Sequence, residues 1–387
     1  MHHSPPKDVQ VYPLEENFVI AQTARYRMFV LNATAYRIWC DYVAGKDADE
    51  IARELHKDFR VPLETARRDV QTTIDQWCEH KLLSHPEPKV LLPMSESLAM
   101  PANRKGSQVN DPIIAAQTYR IGPLVFSIRH HTPELQTFVG PLLSSIVFDS
   151  AEKCDHFIDI HKISGNFIVF KDHQEVGHTG QEHLAMSLIL EAIVYLSYPQ
   201  VQWTAFIHAS AAAKDDAGVI FCGSSGSGKS TLTAALLKSG WTYCCDDVVP
   251  LDSHCFLRTL PFNICLKSKS WQALQPQYPE ITQLALYQRY GQSVRYLPIP
   301  ADAGNSTGKK RVAFLVFPRF SPEEKVHLEQ ISATAALQEL IAAQTWVSPM
   351  PQHTGAFIQW IGKTPAYSLS YQDLNQAIMR LHGLVKK

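Results

Sequence analysis

The residues best suited to chemistry lie between His208 and Asp247. Gly223-Ser224-Ser225-Gly226-Ser227-Gly228-Lys229-Ser230 fits the spacing G-x-x-x-x-G-K-[ST] of a phosphate-binding loop. The glycines permit backbone angles that a side chain would forbid, so several N–H groups can point inward at an anion. Lys229 would set its charge on the β- and γ-phosphates of a nucleotide, and Ser230 would place its hydroxyl on Mg²⁺. Two adjacent carboxylates, Asp246 and Asp247, follow the lysine by 17 residues, and His208 precedes it by 21. Phosphoryl transfer needs mainly positioning, charge neutralisation and one carboxylate near the attacking oxygen, and this set offers all three. The cofactors implied are ATP and Mg²⁺. A flexible glycine-serine surface loop would account for the glycines, but not for the lysine or for the apolar runs on either side.

Those runs are the elements that must position the loop. Val219 to Cys222 reads as a short buried strand entering it. Leu232, Ala235 and Leu236 give the apolar face of a helix that leaves it, with Thr231 on the first turn, so the positive helix end faces the phosphates. Gly240 stops that helix, and a strand from Trp241 to Cys245 delivers the acids. Adjacent residues on an extended strand point to opposite faces, so Asp246 and Asp247 are expected to do different work: one on the metal, one as base. The spacing does not say which. Asp is also a common turn residue, and a neutral histidine can hydrogen-bond within a core strand, here the run Thr204 to Ala213. Arg258, Lys267 and Lys269 are further phosphate-contact candidates, or else a solvated strand edge.

Length and composition narrow the class. A chain of 387 residues suggests two or three domains, and 45% hydrophobic residues suffice for full cores. With 36 Lys+Arg against 37 Asp+Glu, the net charge of −1 gives no general attraction to nucleic acid or an anionic membrane. The longest apolar run, Leu184 to Tyr198, contains Glu191 and is too short to span a bilayer, and MHHSPPKDV has no apolar signal region. The eight cysteines form no C-x-x-C pair, which argues against a zinc site and for a reducing compartment, the cytoplasm. His130-His131 and His156/His161 have no third ligand at helical or hairpin spacing, so they are read as structural.

Phe18 to Gln22 and Met28 to Leu31 suggest a hairpin around a Thr-Ala-Arg turn. Asn32 can cap a helix carrying Ala35, Ile38, Trp39, Tyr42 and Val43, ended by Gly45. Asp47 with Glu50 forms a capping box for a second helix with Ile51, Leu55 and Phe59 inward. Pro62 opens a third, with Ala66, Val70, Ile74, Trp77 and Cys78 inward. This winged-helix-like pattern, FVIAQ…RMFVLNATAYRIW…DADEIARELHKDF…DVQTTIDQW…KLL, resembles the PqqD family of small domains that recognise leader sequences of ribosomally made peptides. The resemblance implies a peptide that adds as a strand to the hairpin edge. Binding of DNA by the third helix is the other reading, but Glu64 and Asp69 flank Arg67 and Arg68.

Residues 11–84 thus form the expected N-terminal module and the proline-rich 85–112 a linker. Residues 113–387 form an α/β domain with a mixed sheet, divided into 113–200 and 201–387. The stretch IHASAA…VIFCGSSGSGKSTLTAALLKSGWTYCCDDVV resembles the HPr serine kinase family, with loop, histidine and acid pair in the same order and spacing. Carried over, Gly223 to Ser230 would hold the triphosphate. Ser230 and one aspartate would hold Mg²⁺, the other aspartate would accept the proton of a serine hydroxyl, and His208 would position it. The chain departs from that family at Thr231, where the enzymes usually carry Glu. It also lacks their Glu-Arg-Gly-Leu-Gly run between Leu260 and Pro300, which argues against reversal of the reaction and against HPr as substrate. The expected function is an ATP-dependent serine kinase acting on a precursor peptide or small protein, without nucleic acid or membrane partners; a homo-oligomer is compatible with it. The alternatives are a nucleotide-binding peptide chaperone without transferase activity, a kinase of an HPr-like carrier protein, and a simple NTPase.

Overall fold

A strand period of two at the N-terminus gives way to three helical stripes, and those periods set the first module. In the computed structural model, residues 8–23, 26–83, 111–149, 154–300, 303, 308–343 and 345–385 are described. Most of the linker, part of the Thr-Ala-Arg turn, the first seven residues and most of the loop from 302 to 310 lie outside them. The chain divides into two compact units, residues 1–90 with 347–363, and residues 91–346 with 364–387.

In the first unit, β1 (Val9–Leu14), β2 (Asn17–Gln22) and β3 (Arg27–Leu31) form an antiparallel sheet in that order, one strand more than the hairpin expected. Asn32 caps α1 (Ala33–Val43), its Oδ1 accepting from the Ala35 N–H at 2.8 Å. The Asp47–Glu50 capping box opens α2 (Ala48–Phe59), and α3 (Leu63–Glu79) follows Pro62. Ile38, Trp39, Ile51, Leu55, Val70, Ile74 and Trp77 meet in one core. Two expectations fail at its rim. Phe59 is 56% exposed because α2 ends where the core ends, at Arg60 in the left-handed region with φ 55°. Cys78 is also exposed, because the stripe Val70, Ile74 and Trp77 points away from it. The helix Pro351–Lys363, far along the chain, packs against β1. The Tyr12 ring comes so close that a Cβ added at Gly355 would lie 3.1 Å from it, and the Tyr12 hydroxyl donates to the Pro351 carbonyl at 3.1 Å.

The second unit begins with β4 (Ala115–Ile121), β5 (Leu124–His130), α4 (Gln136–Leu143), β6 (His156–Ile163), β7 (Asn166–Lys171), β8 (Gln174–Thr179) and α5 (Glu182–Ser197). Its five strands pair in sequence order, and only β5 and β6, joined through α4, run parallel. The remainder comprises β9 (Trp203–Ile207), β10 (Ser210–Lys214), β11 (Ala217–Phe221), α6 (Lys229–Lys238), β12 (Thr242–Cys245), β13 (Val249–Asp252), β14 (Leu257–Arg258) and β15 (Ile264–Lys267). There follow α7 (Ser268–Leu274), β16 (Tyr287–Arg289), β17 (Gln292–Leu297), β18 (Lys309–Phe320), β19 (His327–Ile331), α8 (Ala333–Ala342), β20 (Trp346–Val347), α9 (the Pro351–Lys363 helix of the first unit), β21 (Ala366–Tyr371) and α10 (Leu374–Val385). Together they make a mixed α/β fold, as expected from the pattern of runs.

The main sheet turns on the long strand β18. On one side lies its parallel partner β11, followed by β10 and β12. On the other, β14 pairs with the start of β18 and leads to β13 and β9, while β21 pairs with its end and leads to β19. The expected single strand Thr204 to Ala213 is therefore two strands. β9 belongs to the β13 branch and β10 to the β11 branch, and His208 sits in the break between them. A small separate sheet, β15-β17-β16, flanks this region. Leu232, Ala235 and Leu236 of α6 pack with Phe221, Leu266, Val316 and Tyr371 in the main core. Among the described residues no helix is long and apolar enough to cross a membrane.

The five-stranded sheet carries an acid-sensitive group. His130 is 4% exposed, and among the described residues its Nδ1 has no hydrogen-bond partner. Burial, and then the neighbouring His131, hold its pKa down at about 4, against an ordinary 6.5. The unfolded chain therefore takes a proton near pH 6.5 that the folded chain refuses until about pH 4. This contribution to stability is full above pH 6.5 and is lost as the pH falls towards 4. Denaturant titrations across that window should show stability falling by up to about 1.4 kcal/mol per pH unit from this group. His130→Leu should remove that share of the slope; an unchanged slope would refute the assignment.

Candidate functional site

The site lies where β11 and β12 end. β11 runs into Gly223, whose φ of 136°, with 88° at Gly226 and 104° at Gly228, bends the loop back onto itself. Gly228 is the N-cap of α6, so the helix begins at Lys229 as expected. A Cβ at Gly228 would collide with the Tyr371 hydroxyl, so only glycine fits there. Lys229 is 7% exposed and donates from Nζ to the carbonyls of Gly223 at 2.7 Å and Ser224 at 3.0 Å. Burial lowers its pKa, with the charge of Asp246 opposing. Ser224 and Ser225 are exposed on the loop, and Thr231 stands on the first turn of α6.

β12 ends at Cys245, and the chain turns. Asp246 is 2% exposed; one carboxylate oxygen accepts from the Ser230 hydroxyl at 2.8 Å and the other from the Cys265 N–H at 3.0 Å. Asp247 takes the left-handed backbone, φ 73°, a strained conformation for a residue with a side chain. That turn sends its carboxylate elsewhere. Oδ2 accepts from the Arg289 guanidinium at 2.5 Å, and Oδ1 lies 3.7 Å from His208 Nδ1. The two acids, expected to diverge because adjacent strand residues alternate, diverge instead because the backbone turns between them.

Their charges differ accordingly. For Asp246 burial is the largest influence, followed by the charge of Asp247, and together they push its pKa up to about 7. Burial would raise Asp247 as well, but the Arg289 and His208 charges overcome it and hold the pKa at about 2. Asp247 is therefore the ionised member. His208 donates from Nδ1 to the Asp247 backbone carbonyl at 3.0 Å, so the proton sits on Nδ1 and Nε2 remains an acceptor. Burial lowers its pKa, against the pull of Asp247, and the ring is neutral near pH 7. Its side chain is 47% exposed, so an edge of the ring is open to an incoming group.

The residues present fit a triphosphate nucleotide with Mg²⁺. The loop glycines take backbone angles suited to an anion cradle, and the buried Ser227 hydroxyl has no partner among the described residues. Ser230 and Asp246 offer adjacent hard oxygen donors, which suit Mg²⁺.

The small sheet supplies one contact that the sequence nominated, Lys267, and two that it did not, the Cys265 N–H and Arg289. β15 provides the Cys265 N–H to Asp246 and Lys267, whose Nζ reaches the Ser225 hydroxyl, and β16 provides Arg289. Among the three basic candidates, Lys267 reaches the loop. Lys269 is exposed on α7, and Arg258 instead pairs with Asp252 at 2.8 Å. Arg289 lies 60 residues beyond the lysine in an unremarkable run, YQRYGQ, and the only local signal was an arginine beside a tyrosine and a turn glycine.

A second cluster needs a different reading. Asp159 joins His131 and His161, the third group that sequence spacing did not reveal. Asp159 accepts from Arg129 through both oxygens, at 2.7 and 2.5 Å, and lies 3.1 Å from His131 Nε2, while the two imidazoles stack face to face at 3.8 Å. The guanidinium balances the charge of Asp159, which makes this part of the cluster a largely buried ion pair.

Residues 17–83 match the family described as Coenzyme PQQ synthesis protein D (PqqD), so the N-terminal module is PqqD-like. One solved structure, described as TbiB1 in complex with the TbiA(beta) leader peptide, is similar at 21% identity, covering 22% of this chain and 98% of that chain, with a TM-score of 0.20. No curated protein matches the chain.

Proposed function

We propose that this protein is an ATP-dependent serine kinase whose acceptor is a ribosomally made precursor peptide or small protein, recognised by its N-terminal module. The observation that carries the reading is the divergence of two neighbouring carboxylates. Asp246 turns to the Ser230 hydroxyl at the loop, and Asp247 turns to His208 and Arg289. ATP and Mg²⁺, when bound, supply the transferable phosphoryl group and neutralise its charge. Lys229, Ser230 and Asp246 hold them. Asp247 takes the proton of the incoming serine hydroxyl. A carboxylate with so low a pKa is a weak base, yet it suffices where the transition state is loose and the hydroxyl proton leaves late. Arg289 fixes one oxygen of Asp247, and His208 fixes its turn.

The PqqD-like module supports a peptide acceptor, because that family is tied by resemblance to leader recognition. The order β1-β2-β3 leaves β3 at one edge, while α9 packs against β1 at the other. A leader strand pairing with β3 would gain affinity from backbone hydrogen bonds and register from side-chain pockets. Tethering then raises the local concentration of the acceptor serine.

The test is incubation of the full chain with γ-labelled ATP, Mg²⁺ and a candidate precursor peptide. Label on a serine, located by mass spectrometry, is the expected result. Binding of both ligands without phosphopeptide would make the protein a nucleotide-dependent peptide chaperone. Phosphate release that no acceptor stimulates would make it an NTPase.

A further inference from the structure

Phe320 ends β18, the parallel neighbour of β11, so it stands at the same carboxyl end of the sheet as the Gly223–Ser230 loop. Its N–H donates to the Ser227 carbonyl at 3.3 Å, and its Cβ lies 4.0 Å from where a Cβ on Gly228 would sit. Tyr371 faces it across the β18–β21 ladder, edge-on at 5.8 Å and 71°. Tyr371 is 1% exposed and held in the core, whereas Phe320 is 52% exposed. One ring is thus fixed as backing, and the other presents open apolar surface beside the loop. A lone exposed phenylalanine is ordinary on a protein surface. Here it stands one residue-width from a phosphate cradle, and a nucleotide held there must project its base outward from the phosphates.

We propose that Phe320 is the platform on which the base of the bound nucleotide stacks. The proposal rests on the reading of Gly223–Ser230 as a nucleotide site and names what selects a nucleotide over a bare polyphosphate. An aromatic face accepts any base in outline, and the larger π-surface of a purine covers more of it.

Calorimetric titration of the full chain, with Mg²⁺ present, compares ATP with inorganic tripolyphosphate, which keeps the phosphate chain and lacks base and sugar. The wild type should bind ATP more tightly. Phe320→Ala should weaken ATP about tenfold or more, as removal of a stacking aromatic does, and move tripolyphosphate by less than about twofold. Phe320→Trp should keep ATP affinity, and its added indole emission should be quenched by ATP but not by tripolyphosphate. Unchanged ATP affinity in Phe320→Ala, or equal losses for both ligands, would overturn the platform. A folded wild type that binds neither ligand would instead overturn the nucleotide reading beneath it.

Discussion

Asp247→Asn should still bind ATP and should transfer phosphate to a peptide serine about 10²- to 10⁴-fold more slowly, the usual worth of a positioned general base. Asparagine is the informative replacement. Like aspartate, it tolerates the left-handed backbone that position 247 adopts at φ 73°, where alanine would add strain. Its amide oxygen can still accept from Arg289, so the geometry around the guanidinium survives while the proton acceptor is lost. The neutral side chain leaves Arg289, whose side chain is only 13% exposed, without its counter-ion. Loss of one partner from a mostly buried pair costs about 3–5 kcal/mol at most. Thermal unfolding must therefore accompany the kinetics. Asp246→Asn provides the contrast, because that carboxylate meets Ser230 at the loop and its loss should weaken Mg²⁺-nucleotide binding itself. Single-turnover measurements separate the two effects. An Asp247→Asn variant that retains more than about a tenth of wild-type transfer at saturating ATP would remove Asp247 from the role of base.

Gly228→Ala should be the most damaging single methyl group in the second unit. Position 228 has φ 104°, outside the range alanine adopts without strain, and the new Cβ would run into the Tyr371 hydroxyl. The backbone term costs about 1–2 kcal/mol and the overpacking about 1–3 kcal/mol. Tyr371 is 1% exposed and anchored in β21, so it cannot swing aside cheaply. For a unit of this size, a loss of about 3 kcal/mol lowers Tm by roughly 6–12 °C. Nucleotide affinity should fall as well, since Gly228 is the residue from which α6 starts. Tyr371→Phe removes the hydroxyl, and the nearest remaining ring atom is then at an ordinary 3.5 Å. The double variant should recover the packing share of the loss and keep the backbone share. Recovery of the whole loss would mean that φ at 228 carries no strain, and no loss at all would mean that the loop is not held as described.

The first module shows how far local signals reach. Asn32, Asp47 and Glu50 act within three residues of themselves, so both caps and the helix starts were legible. The edge strand β1 was not, because Pro13 within VQVYPL weakens the strand signal and its partner Pro351–Lys363 lies more than three hundred residues away. Phe59 and Cys78 were placed inward by periodicity alone, which cannot know where a core stops.

At the candidate site the division has the same cause. The loop, the strand before it and the helix after it are contiguous in sequence, and their glycines, lysine and apolar spacing determine them locally. His208 and the aspartates could be nominated by type and order, but their roles could not be divided, because that depends on a turn at Asp247 and on a break between β9 and β10. Lys267 could be nominated only as one of three basic candidates, and Arg289 and the Cys265 N–H were beyond reach, since the small sheet brings them from outside the motif. Sequence alone determined that a phosphate-type loop and two acids exist and which elements carry them. Only the tertiary structure decided which acid meets the loop hydroxyl and which meets a cation, because burial and the approach of distant charges set a carboxylate's state, and neither is written in its neighbours along the chain.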